Sequence, residues 1–126
     1  MENICLNRDI VLKMELCEEN PSVKMDTSLF EQVLINVIKN SAESIEETGH
    51  ILIRTSAEPL MLEVSDDGKG IAKEVEIKLF SPFFSTKPNG QGIGLIFIRE
   101  VLMKHGCTFS LRTYEDGITR FRICFP

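Results

Sequence analysis

Hydrophobic and polar residues alternate along this chain at two periods, and the switches between them mark its elements. "DIVLKMELC", residues 9–17, alternates near period two and predicts a strand. "ENPSV" reads as a turn, with a possible short strand up to Met25. From Asp26 the period changes. Leu29, Phe30, Val33, Leu34, Val37, Ile38 and Ile45 share one broad arc at about 100° per residue. That arc predicts a helix, N-capped by Asp26 and stopped near Gly49. Gln32, Asn36, Asn40, Glu43 and Glu47 form a polar stripe on its other side. "HILIRTSA" and "LMLEVSD", residues 50–57 and 60–66, alternate again and predict an antiparallel pair. A short helix is expected at 72–79, and a longer one at 93–105, stopped by Gly106. "CTFSLRTYE" and "ITRFRICFP" alternate and meet at Asp116-Gly117, a strong hairpin signal.

The sum is five or six strands, mostly antiparallel, with two or three helices. The economical packing is an α+β two-layer sandwich, a mixed, mostly antiparallel sheet with helices on one face. No repeat, linker or low-complexity segment divides the chain, so residues 1–126 read as a single domain.

Composition narrows the function classes. Hydrophobic residues are 43% and charged residues 26%, ordinary for a soluble globular fold. The net charge is −5, and no Lys/Arg run stands out, so nucleic acid is not an expected partner. Any phosphate must be held by a local site. Cys5, Cys17, Cys107 and Cys124 form no C-x-x-C pair and read as buried free thiols in a reducing, cytoplasmic compartment. No apolar run reaches the roughly 18 residues of a membrane helix, so no direct membrane contact is expected. The chain opens almost inside a strand, as a piece of a longer protein would.

Four stretches carry candidate chemistry. "SDDGKGI" sets Asp66, Gly68 and Gly70 behind a strand. It reads either as a plain turn or as a backbone surface that a flat ligand can approach. A carboxylate there accepts hydrogen bonds only, which suits an exocyclic amine. Calcium-loop spacing is absent. Asn36 and Asn40 share a helix face one turn apart, at the edge of the apolar arc. They are either solvated or amide-oxygen ligands of the kind Mg²⁺ accepts when substrate phosphates supply the rest. "NGQGIGL" puts Gly90, Gly92 and Gly94 before a helix N-terminus, a setting that binds anions. Lys87 lies in the same loop. It is neither a Walker loop nor a dinucleotide fold. "LFSPFFSTK" offers Phe80, Phe83 and Phe84 as an anchor for a loop that is either closed on the core or a movable lid.

In this order the four stretches resemble the catalytic ATP-binding domain of bacterial sensor histidine kinases. Its superfamily includes DNA gyrase B subunits, mismatch-repair ATPases and heat-shock chaperone ATPases. "QVLINVIKNSAESI" resembles the N box, "DDGKGI" the first glycine box, "LFSPFFSTK" the F box and "GQGIGL" the second glycine box. "DGITRFRICFP" resembles the closing strand. The likeness runs from about Asp26 to Pro126, and residues 1–25 match only as a first strand.

The resemblance implies a Bergerat-type ATP-binding fold with ATP and Mg²⁺ bound. Asp66 would take the adenine amino group, with Gly68 and Gly70 letting the backbone lie against the ring, Thr119 in support through water, and Ile71 as a further nucleotide-binding position. Asn40 would ligate Mg²⁺, with Asn36 at the phosphates and Glu43 as a possible contact. Gly92 and Gly94 would place helix N–H groups on the phosphates, with Gly90, Gln91, Ile93 and Leu95 as further nucleotide-binding positions. The lid would run from Ser85 to Gln91 with Thr86, and Lys87 would hold the γ-phosphate. Ser41 stands where the family usually has Ala, and Cys107 where it often has Gly; both are small. The lid is short, as in nitrogen-regulation-type kinases.

In the resembling hydrolases a Glu four residues before the metal asparagine activates water. Here Asn36 holds that place and cannot be a general base. The implied function is therefore phosphoryl transfer to a histidine on a separate helical dimerisation domain, with a response-regulator receiver domain downstream. The chain's own His50 and His105 read as structural or solvated. Two other classes stay open. One is a serine kinase of the anti-sigma-factor type, and the other is a non-catalytic nucleotide-binding scaffold.

Overall fold

A computed structural model describes residues 9–19, 24–80 and 94–126. Five strands form one sheet in the order β1-β2-β3-β5-β4. They are β1 (Asp9–Glu15), β2 (Thr48–Ala57), β3 (Leu60–Asp66), β4 (Thr108–Thr113) and β5 (Thr119–Cys124). Helices α1 (Thr27–Glu43) and α3 (Gly94–Lys104) lie on one face, and the four-residue α2 (Lys73–Glu76) sits beside β4. The expected two-layer α+β sandwich is the observed fold. β1 pairs with β2 in parallel, and the other three pairings are antiparallel.

Alternation explains the layers. Ile51, Ile53, Val64, Phe121 and Ile123 point from the sheet into the core. Val33, Val37, Ile38 and Ala42 of α1 and Ile98, Val101 and Leu102 of α3 meet them. Each of these side chains except the small Ala42 contributes about 1.5–3 kcal/mol by leaving water. Asp26 caps α1 by accepting from Leu29 N–H at 3.0 Å, as the sequence predicts. Gly106, at φ +74°, ends α3, and Gly117, at φ +83°, turns the last hairpin. The Asp116 side chain fixes that turn by accepting from Ile118 N–H at 2.9 Å.

Three expectations are corrected. α1 does not run to Gly49. It ends at Glu43 with Ser44 as its C-cap, and Glu47 of the polar stripe is off the helix. Gly49 lies inside β2, where a Cβ would stand 2.8 Å from Asp67 Oδ1 and 2.9 Å from Ile45 Cγ2. Its small size serves close packing, and it stops no helix. Residues 24 and 25 are not strand, and residues 20–23 lie outside the described ones. Cys17, Cys107 and Cys124 are free thiols, but only Cys107 is buried; Cys5 lies outside the described residues.

Candidate functional site

Asp66 ends β3 at the sheet's centre and is only 4% exposed. Its ladder neighbours are Ile51 on β2 and Thr119 on β5. Ser44 Oγ donates to Asp66 Oδ1 at 2.9 Å, and Gly68 N–H donates to the same oxygen at 3.0 Å. Neither bond engages Oδ2. Burial pushes the Asp66 carboxyl above its ordinary value, while the Gly68 N–H and the Ser44 and Ser41 hydroxyls pull the other way. Among the described residues no cation pairs with Asp66; a buried carboxylate so placed is costly, and such groups gather at functional sites.

The glycine loop after Asp66 is pinned on three sides. Lys69 N–H donates to Ser44 O at 3.0 Å, at the end of α1. Ile71 N–H donates to Thr113 Oγ1 at 2.7 Å, and that oxygen lies 2.7 Å from Thr119 Oγ1. Asp67 accepts from His50 N–H at 2.7 Å and meets the His50 ring at 2.8 Å. Though burial alone would raise the Asp67 carboxyl, those His50 contacts hold it below its ordinary value. Two glycines permit this path. A Cβ on Gly68 would lie within 2.6 Å of Ser44 O, and Gly70 adopts φ +80°.

Asn36 and Asn40 are half-buried on α1, and Glu43 is exposed in its last position. Ser44 N–H donates to Asn40 O at 3.3 Å. Asn40 therefore stands one turn, about 5.4 Å along the axis, from the residue that holds Asp66. Among the described residues no three acidic, His or Cys side chains cluster to hold a metal alone. Asn40 fits an ion that takes its other ligands from substrate and water. Gly94 opens α3, and Leu95 packs half-buried against the core. Thr86, Lys87, Gly90, Gln91, Gly92 and Ile93, with Phe83, Phe84 and the lid, lie outside the described residues. Phe80, one of the three rings the sequence offers as an anchor, packs on the core, its ring 5.1 Å from Phe109 and 6.2 Å from Phe121.

The structure thus gathers Asp66, Gly68, Gly70, Ile71 and Thr119 at one end of the sheet, with Asn40 a turn away. Sequence reasoning missed Ser44 and Thr113. Ser44 continues the spacing of Asn36 and Asn40, four residues on, so the stripe itself could have found it. Thr113 has no such signal, because its place opposite Thr119 comes from strand register.

Residues 25–126 match the family model described as histidine kinase-, DNA gyrase B- and HSP90-like ATPase, and the chain belongs to that family. Within it, this is an ATP-binding catalytic domain of the sensor histidine kinase kind. Sensor histidine kinase ZraS of Escherichia coli O157:H7 is 31% identical over 121 residues, covering 94% of this chain and 26% of that protein. Sensory histidine kinase/phosphatase NtrB of Rhodobacter capsulatus is 31% identical over 121 residues, covering 84% of this chain and 34% of that protein. The chain thus spans about a quarter to a third of these two relatives. The catalytic domain of histidine kinase ThkA superposes with a TM-score of 0.87 at 30% identity, over 99% of this chain and 85% of that one. A mycobacterial sensor histidine kinase, MprB, gives 0.84 at 26% identity, over 99% and 87%. No helix among the described residues is long and apolar enough to cross a membrane.

Proposed function

We propose that this chain holds Mg-ATP and presents its γ-phosphate to a histidine on a separate helical dimerisation domain. Residues 1–126 form one catalytic domain of a longer, cytoplasmic two-component kinase, whose phosphoryl group passes on to a receiver domain. The observation that carries this reading is Asp66, a buried carboxylate at a strand end beside a close-packed glycine loop.

Its oxygens accept only, so they select an amine over a carbonyl at the ligand's edge. Gly68 and Gly70 leave the loop without side chains where the adenine plane would lie, beside Ile71. Thr119, tied to Thr113, steadies a water on the same edge. Asn40 would hold Mg²⁺ through its amide oxygen, where the ion would neutralise charge on the phosphates, and Asn36 would orient them. Glu43 contacts the phosphate end. Gly90, Gln91, Gly92, Ile93, Gly94 and Leu95 bring N–H groups to the phosphates, and Thr86 and Lys87 close over them. With Asn36 in place of a carboxylate, that position supplies no base to activate water, so the site positions phosphate for an external acceptor.

Neither histidine of this chain is placed to be that acceptor. His50 is engaged with Asp67, and both ring nitrogens of His105 are in use, toward Asp26 N and Val101 O. The test is transfer of radiolabelled γ-phosphate with the chain alone and with the parent's helical domain added. Acid-labile label on the helical domain's histidine is expected, with none on the chain alone. Acid-labile label on His50 or His105 would overturn the reading, and acid-stable label on a partner's serine would favour the anti-sigma type.

A further inference from the structure

On the sheet face away from the helices, three arginines crowd one tyrosine. Arg112 on β4 stands directly opposite Arg120 on β5, and Arg122 follows two residues on. Their guanidinium carbons lie 4.7, 4.8 and 5.0 Å from the Tyr114 ring centroid. Like charges directly opposite on neighbouring strands are destabilising, so stability alone does not explain this arrangement. Two of the three charges are answered. Arg122 Nε meets the buried Glu63 at 2.6 Å, and Arg120 grips Asp116 through two nitrogens at 2.7 and 3.3 Å. Arg112 has no carboxylate partner among the described residues and lies over the Tyr114 ring. A surface groove of about 440 Å³ opens beside it, lined also by Lys73, Tyr114, Asp116 and Arg120.

We propose that this groove docks an acidic segment of a partner protein, with Arg112 as its principal anchor. The Arg120–Asp116 pair shows within the same groove how a carboxylate seats on a guanidinium stacked against Tyr114. Arg112 offers the same planar fork on the same ring, and the fork fits a carboxylate at two points. Glu115 and Asp116 also line the groove and repel any anion there, a densely charged polyphosphate more than a single side-chain carboxylate seated on Arg112. The contact is made by side chains, since the β4 edge is closed at Thr113, whose N–H donates to Glu76 Oε1 at 3.2 Å. The chain's overall charge of −5 disfavours acidic partners in general, which sharpens the choice of a locally basic docking face.

The experiment is fluorescence anisotropy of the 126-residue chain with a labelled Glu/Asp-rich octapeptide, at low and at physiological salt. Saturable binding is expected. Arg112→Gln should weaken it about tenfold, the loss of one charge-assisted pair. Arg54→Gln, on the same sheet face but outside the groove, should leave it unchanged. ATP affinity should be equal in all three proteins, and circular dichroism should show Arg112→Gln folded. Equal weakening by both substitutions would reduce the effect to diffuse charge and overturn the proposal. Absence of saturable binding, or tripolyphosphate displacing the peptide at far lower concentration than free glutamate, would overturn it too.

Discussion

Under the proposed function, Asp66 answers two opposing demands. Binding an amine calls for a buried, ionised carboxylate, and folding penalises one. Burial holds its carboxyl above its ordinary value, so the folded chain binds that proton more tightly than the unfolded chain. Its contribution to stability is therefore best at acid pH, and falls as pH rises through the folded-state value. Asp66→Asn should raise the melting temperature at pH ~7 and change it little at pH ~4, because the neutral amide removes the buried charge. Scanning calorimetry at both values checks this; a lower melting temperature at neutral pH would contradict it. Asn40 makes a different demand. It is half-buried on the polar side of α1, so truncation leaves the apolar arc intact. Asn40→Ala should cost less than about 1 kcal/mol in urea melts and abolish the Mg²⁺ dependence of ATP binding. Simple unfolding would make Asn40 a packing residue.

The joints between elements decide the site. Ser44 caps α1 and touches the end of β3, with its Oγ 2.7 Å from Ser41 O and 2.9 Å from Asp66 Oδ1. Ser44→Ala should cost about 1 kcal/mol and push the Asp66 carboxyl still higher, read by carboxyl NMR titration. An unmoved titration would remove Ser44 from the site. At the other end, His105 accepts from Asp26 N–H at 3.1 Å, while its Nδ1 lies 2.8 Å from Val101 O. The ring ties the C-terminus of α3 to the cap of α1. His105→Ala should destabilise the chain by about 1 kcal/mol in urea melts, and no change would contradict the tie. These joints also mark what the sequence could and could not say. The apolar arc of α1 and the hairpin at Asp116-Gly117 were legible, because burial period and turn chemistry are local. The helix end was not. It is set by Ser44 reaching a strand 22 residues away, so Gly49 was a false stop. Alternation gives a strand without its direction, so the parallel β1–β2 pairing was illegible too.

At the scale of the molecule, the sheet serves two faces. One carries the core and, at one end, Asp66 with its glycine loop; the other carries the arginines around Tyr114. The order β1-β2-β3-β5-β4 puts β3 in the middle, so Asp66 is held by neighbours on both sides. A rigid floor of this kind spends little ordering entropy when a ligand binds. The four boxes were legible as an ordered set. Thr113 was not, because the pairing that delivers it exists only in the folded sheet. The most direct test is isothermal calorimetry of ATP with Mg²⁺ on the wild-type chain, Asp66→Asn and Asn40→Ala, with GTP as control. The account predicts saturable ATP binding to the wild type and none to GTP, which presents a carbonyl where adenine has its amine. It also predicts a loss of about tenfold or more in Asp66→Asn, which offers donors as well as an acceptor at that edge. Equal ATP affinity in wild type and Asp66→Asn, or equal affinity for ATP and GTP, would contradict it.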